Sequence, residues 1–152
     1  MHSTKAIGVD AGAASKRTIR LPGVRGLVVT GCRAALAAML TTTLVAALAR
    51  AVGVGFQIPA GGEVIPLPGI AVMTGFFSLV GVVIAAGLLR WSRRPAQRFL
   101  WTALSLTGVS LIAPLLAQAD TATTAALLVL HLAAACVMVP TLVRALRTQG
   151  GD

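Results

Sequence analysis

TATTAALLVLHLAAACVMVPTLVRAL, residues 121–146, holds no charged residue before Arg144. As a helix, the stretch from Thr121 to Val143 would rise ~34 Å, enough to cross the ~30 Å hydrocarbon core of a bilayer. The same pattern occurs three more times: about Leu27 to Phe56, Gly69 to Leu89 and Phe99 to Ala117. None of these runs alternates polar and apolar residues, and each is far longer than the roughly ten residues of a membrane barrel strand. The expected fold is all-α: an integral membrane four-helix bundle spanning residues 23–147. Residues 1–22 are read as a disordered basic tail and 148–152 as a short tail.

Composition supports the same reading. Of 152 residues, 57% are apolar and 11% charged, against about 25% charged in an ordinary soluble domain. A single core could not hide so much apolar surface, whereas lipid solvates it. QIPAGGEVIPLPG (57–69), RWSRRPAQR (90–98) and QADT (118–121) separate the runs. Proline and glycine make the first a loop, and Asp120 or Thr121 can cap the fourth helix. Such connections make neighbours antiparallel, hence an up-down bundle.

Charge orients it. Twelve of the thirteen Lys and Arg lie before or early in the first run, between the second and third, or at the end of the fourth; Arg50 alone lies at the opposite end. The positive-inside rule then puts both termini in the cytoplasm of a multi-pass cell-membrane protein. The net charge of +9 is read as anchorage to anionic lipid headgroups rather than nucleic-acid binding, because no aromatic residue accompanies the basic tail. Ala47-Leu48-Ala49 resembles a signal-peptidase site, but the apolar stretch is too long for a cleaved leader, so an uncleaved anchor is expected.

Chemistry-bearing motifs are sparse. Neither Cys32 nor Cys136 is expected in a disulfide. There is no CxxC, HExxH or phosphate loop, and no metal or cofactor is expected. Small residues recur at spacing four, as in Gly31 and Ala35, Ala34 and Ala38, Ala71 and Gly75, and Gly81 and Ala85, and would let helix backbones approach closely. Thr41 to Thr43, and Ser105 and Gly108 on the third run, are expected to take part in bundle contacts.

Four residues remain as a candidate buried polar site. His131 falls about ten residues into the fourth run, near mid-depth, where an unpartnered N–H would cost several kcal/mol. It is expected to face the bundle and donate to a group on another helix: Thr41 to Thr43, Ser78, or a carbonyl freed by Pro114. Arg50 either snorkels to its interface or folds over the mouth of the bundle to meet Glu63 or Asp120. Pro114 and Pro140 each remove a backbone bond and should bend or open their helices.

GVGFQIP (53–59), RFLWTALSLTGVSLIAPL (98–115) and LLVLHLAAACVMVPTLVRAL (127–146) resemble a group of small four-helix actinobacterial membrane proteins, domain-of-unknown-function family 6069. The likeness runs from about Leu27 to Leu146, and its most specific piece is His131 followed, after eight apolar residues, by Pro140. It implies a four-span fold and a membrane address. His131, Pro114, Pro140 and Arg50 match the pattern, and no catalytic role comes with them. Three function classes stay open: a structural or accessory bundle, alone, as a homo-oligomer or with a membrane partner; a small transporter or lipid- or ligand-binding protein using His131; and a membrane enzyme. The absence of acidic residues from the runs weighs against the last two.

Overall fold

The structure, a computed structural model, describes residues 23–59 and 62–150. The expectation of a disordered tail over 1–22 lies outside those residues. The chain folds as α1 (Gly23–Ala51), a two-stranded antiparallel hairpin of β1 (Gln57–Ile58) and β2 (Glu63–Val64), α2 (Leu67–Trp91), α3 (Pro95–Ser110), α4 (Ile112–Leu116) and α5 (Thr121–Gly150). Four helical stretches, counting α3 and α4 together, are long and apolar enough to cross a membrane.

The helix ends have local causes. α1 stops at Ala51, five residues before the expected Phe56. Gly53 adopts φ +97°, a conformation open to glycine because it has no Cβ. There its N–H donates to the Arg50 carbonyl at 2.9 Å, and the Val54 N–H to the Ala49 carbonyl at 3.0 Å, a Schellman closure. α2 begins just after Pro66 and α3 at Pro95, each proline sitting where the helix has no N–H partner to lose. At the start of α5 the Asp120 carboxylate accepts from the Thr123 N–H at 3.0 Å, the N-cap expected of it. α5 runs to Gly150, so residues 148–150 are helix rather than tail.

α1 is the central helix, packed on α2 and α5. Its inward face is a ladder at spacing four, Ala34, Ala38, Thr42 and Ala46, each at most 6% exposed. Its outward face is a second ladder, Leu36, Leu40, Leu44 and Leu48, at 59% to 73% exposed. Small residues inside and leucines outside invert the order that water imposes on a helix, and suit an apolar solvent in which close backbone approach drives association.

Each step along α1 toward its C-terminus meets α2 one step nearer its own N-terminus. A Cβ on Gly31 would lie 2.6 Å from Val82 Cγ2, and one on Gly75 would lie 2.8 Å from Met39 Sδ. Thr42 Oγ1 bonds Thr74 Oγ1 at 3.2 Å. The core falls into two clusters. One, around Leu27, Val82, Phe99, Leu142 and Leu146, lies toward the α1 N-terminus. The other, Ala46, Phe56, Ile70 and Leu130, lies toward the hairpin.

Not every expected contact is made. Nothing stands within 4 Å of a Cβ built on Gly81 or Gly108, and Ser105 is exposed. α3 buries only its first turns, through Pro95, Ala96 and Phe99. Ser105 and Gly108 fall on its exposed side, whereas Ala103 still packs against the core.

Candidate functional site

Pro114 does what its missing N–H dictates. It is buried, and the third span is interrupted at Leu111, between α3 and α4. A proline clashes with the carbonyl four residues back, here Ser110, the last residue of α3. The Ser110 hydroxyl meanwhile donates to the Thr107 carbonyl at 2.8 Å, adding a local alternative to the helical ladder. Pro140 behaves differently. α5 passes through it uninterrupted, so the opening expected there is confined to the one bond that proline cannot make. Pro140 is exposed and lies on one helical stripe with Leu132, Cys136 and Arg144, all exposed as well.

His131 is half-buried, and its Nδ1 lies 2.9 Å from the Leu127 carbonyl. A carbonyl can only accept, so Nδ1 carries the proton and donates. The bond is made one turn back along its own helix, and this corrects the expectation of a partner on another helix. Of the hydroxyls proposed as partners, Thr42 is engaged elsewhere. It donates to the Ala38 carbonyl at 2.9 Å and pairs with Thr74, the helix-to-helix contact expected of this threonine run, although the sequence reading does not name Thr74 as the partner. Its signal was present: a threonine facing the same level of a neighbouring apolar helix needs a hydroxyl or carbonyl.

Arg50 turns over the end of the bundle. Its Nη2 donates to the Ile65 carbonyl, and its guanidinium carbon stands 5.8 Å from the centre of the Phe56 ring, within cation–π range. Neither Glu63 nor Asp120 is its partner here; a carbonyl and a ring take the place of the expected carboxylate. Phe56 is fully buried, and its carbonyl accepts from the Ile65 N–H at 2.9 Å. Arg50 therefore ties the end of α1 to both sides of the hairpin.

At the same end, the Thr123 hydroxyl is buried and outside hydrogen-bond geometry with any partner, yet it faces the Asp120 carboxyl. That hydroxyl, with the Thr123 N–H, holds the carboxyl below its ordinary value, because both favour the charged form.

The four candidate residues thus do not converge. His131 and Arg50 bond within their own neighbourhoods, Pro114 breaks the third span, and Pro140 faces outward. Among the described residues no group of three or more His, Cys, Asp or Glu could hold a metal ion. Cys32 and Cys136 are free thiols.

Comparison with curated proteins and with solved structures finds no match. Residues 22–148 match the model of a family of unknown function, DUF6069. That match takes in every helix from α1 through nearly all of α5, and the chain belongs to this family.

Proposed function

We propose that the chain is a multi-pass protein of the cell membrane, an up-down bundle of four spans with both termini cytoplasmic, acting as a structural or accessory bundle without chemistry of its own. The observation that carries this reading is how the polar side chains inside the apolar spans are used. Thr42, His131 and Thr141 each bond a carbonyl of their own helix, and Thr42 adds one bond to Thr74. What remains between α1, α2 and α5 is apolar packing, alanine and glycine of α1 and α2 against valine, leucine and methionine, suited to holding helices together. The orientation rests on the arginines: Arg25, Arg90, Arg93, Arg94, Arg98, Arg144 and Arg147 cluster at the end of the bundle opposite the hairpin, the side the positive-inside rule makes cytoplasmic.

A second reading, a small transporter or a lipid- or ligand-binding protein using His131, draws on the half-exposed imidazole within the apolar stretch of α5. Purified protein in proteoliposomes separates the two. On the first reading, proton flux equals that of empty liposomes, and His131→Leu changes nothing. Flux above that background, lost in His131→Leu, would overturn it. Reporter fusions after Gly62 and Gly150 test the orientation, and periplasmic-type activity from the Gly150 fusion would reverse it.

A further inference from the structure

Between the N-terminal half of α1 and the C-terminal half of α2 lies an open groove of about 670 Å³. It has a structural cause. The two helices meet closely where Val82 faces Gly31, and beyond that contact, toward the arginine-rich end, Cys32, Ala86 and Gly87 leave a gap. Val28 and Cys32 form one wall, and Val83, Ala86 and Gly87 the other. Arg90 and Trp91 close the end. The Trp91 ring folds back over Gly87, where a Cβ would stand 3.4 Å from Trp91 Cζ3. A smaller hollow of about 230 Å³ shares Cys32 and Leu79 and carries the depression on to Gly75.

Two features state the chemistry of an occupant. The first is depth. From Leu79 to Trp91 the α2 wall rises ~18 Å, against the ~15 Å of hydrocarbon in one leaflet. The second is charge. Arg90 is exposed at the groove end, and the acidic residues among those described, Glu63 and Asp120, both lie at the hairpin end. A cation at the mouth of a leaflet-deep apolar channel, with no described acid near it, calls for a molecule anionic at one end and a hydrocarbon chain at the other.

We propose that this groove is a binding site for an anionic phospholipid, one acyl chain lying along Val28, Cys32 and Val83 and the phosphate meeting the Arg90 guanidinium. A guanidinium matches phosphate oxygens in a fork, and the Trp91 indole sits at the level where amphipathic rings border headgroups. The assignment rests on the membrane reading above and goes beyond it: general attraction of a basic surface for anionic lipid needs no groove.

The chain has two tryptophans, one at each place the test needs. Trp91 lines the groove and Trp101 lies outside it on α3, 66% exposed. Single-tryptophan proteins, Trp101→Phe and Trp91→Phe, are reconstituted into vesicles of phosphatidylcholine in which either a phosphatidylglycerol or a phosphatidylcholine fraction carries brominated acyl chains. Trp91 should be quenched with about a fivefold preference for the anionic lipid, the equivalent of ~1 kcal/mol for one arginine at the surface. Arg90→Gln should abolish that preference, while Arg98→Gln, which removes the same charge away from the groove, should leave it. Trp101 should show none. Equal quenching of Trp91 by the two lipids, or a preference that survives Arg90→Gln, would overturn the site but leave the membrane reading intact. Quenching of Trp101 with Trp91 untouched by either lipid would mean that protein covers the groove, and would also overturn the site. If neither tryptophan is quenched by either lipid, the membrane reading itself fails.

Discussion

A methyl group added at Gly31 tests a close contact between α1 and α2. Its carbon would stand 2.6 Å and 3.0 Å from the two Val82 methyls and 3.3 Å from Leu142 Cδ2, whereas carbon atoms rest at about 3.5–4.0 Å. Val82 would have to retreat by roughly 1 Å. It cannot do so by rotation, because a valine in a helix has one strongly preferred rotamer; the helices must part. Overpacking of this kind costs about 1–3 kcal/mol, and replacing glycine in a helix returns about 1 kcal/mol. Gly31→Ala should therefore destabilise by up to ~2 kcal/mol. Val82→Ala alone leaves a gap and also destabilises. In the double variant the new methyl fills that gap, so the two effects should be less than additive by at least ~1 kcal/mol. The assay is reversible unfolding in mixed detergent micelles, followed by far-ultraviolet circular dichroism. Additivity within ~0.5 kcal/mol, or a stabilising Gly31→Ala, would refute the contact. Gly75→Ala serves as a comparison: there the new carbon meets the flexible Met39 side chain, which can move aside, and stability should change by less than ~1 kcal/mol.

Four further outcomes follow from the geometry. Gly81→Ala, facing open space, should stabilise α2 by up to ~1 kcal/mol in the same unfolding assay. Pro114→Ala should join α3 to α4, seen as slower amide exchange over residues 111–113 and a protected new amide at position 114. Arg50→Met should raise exchange at Ile65, whose N–H bond to Phe56 it helps to hold, while leaving the α1 amides before Ala46 unchanged. Because the Asp120 carboxyl is held below its ordinary 3.8, its capping contribution is present above that value and fades as pH falls below it; the Thr123 amide resonance should move over that acidic range in the parent chain and stay put in Asp120→Asn.

The four spans and their loops are legible in the sequence because hydropathy and proline are local signals. Their ends are less so: hydropathy continues past Ala51 to Phe56, and only the backbone conformation of Gly53 stops the helix. Which face turns inward is harder still. On α1 the inner ladder of Ala34, Ala38 and Ala46 and the outer ladder of leucines are both apolar, so no polarity contrast separates them; side-chain size does. His131 is read from the sequence as seeking a partner on another helix, but its bond to Leu127 depends on a side-chain rotamer that no pattern in the sequence encodes. Ser105 and Gly108 look like packing residues by type, and lose that role because they fall on the outward side of α3, whose Ala103 stays against the core. Pro114 could be read directly, since the missing N–H belongs to the residue itself.

The small-residue ladder on α1 also bears on the entropy of assembly. Alanine and glycine have no rotamers to surrender, whereas ordering a leucine side chain costs about 0.5–1 kcal/mol. The Ala34, Ala35, Ala38 and Ala46 side chains are at most 6% exposed, and they enter the contact with no such penalty. The outward leucines keep their rotameric freedom in a fluid surrounding. On its own side of the contact α1 thus surrenders little side-chain entropy at these positions, and the ordering falls on the side chains it meets, such as Val82 and Leu142.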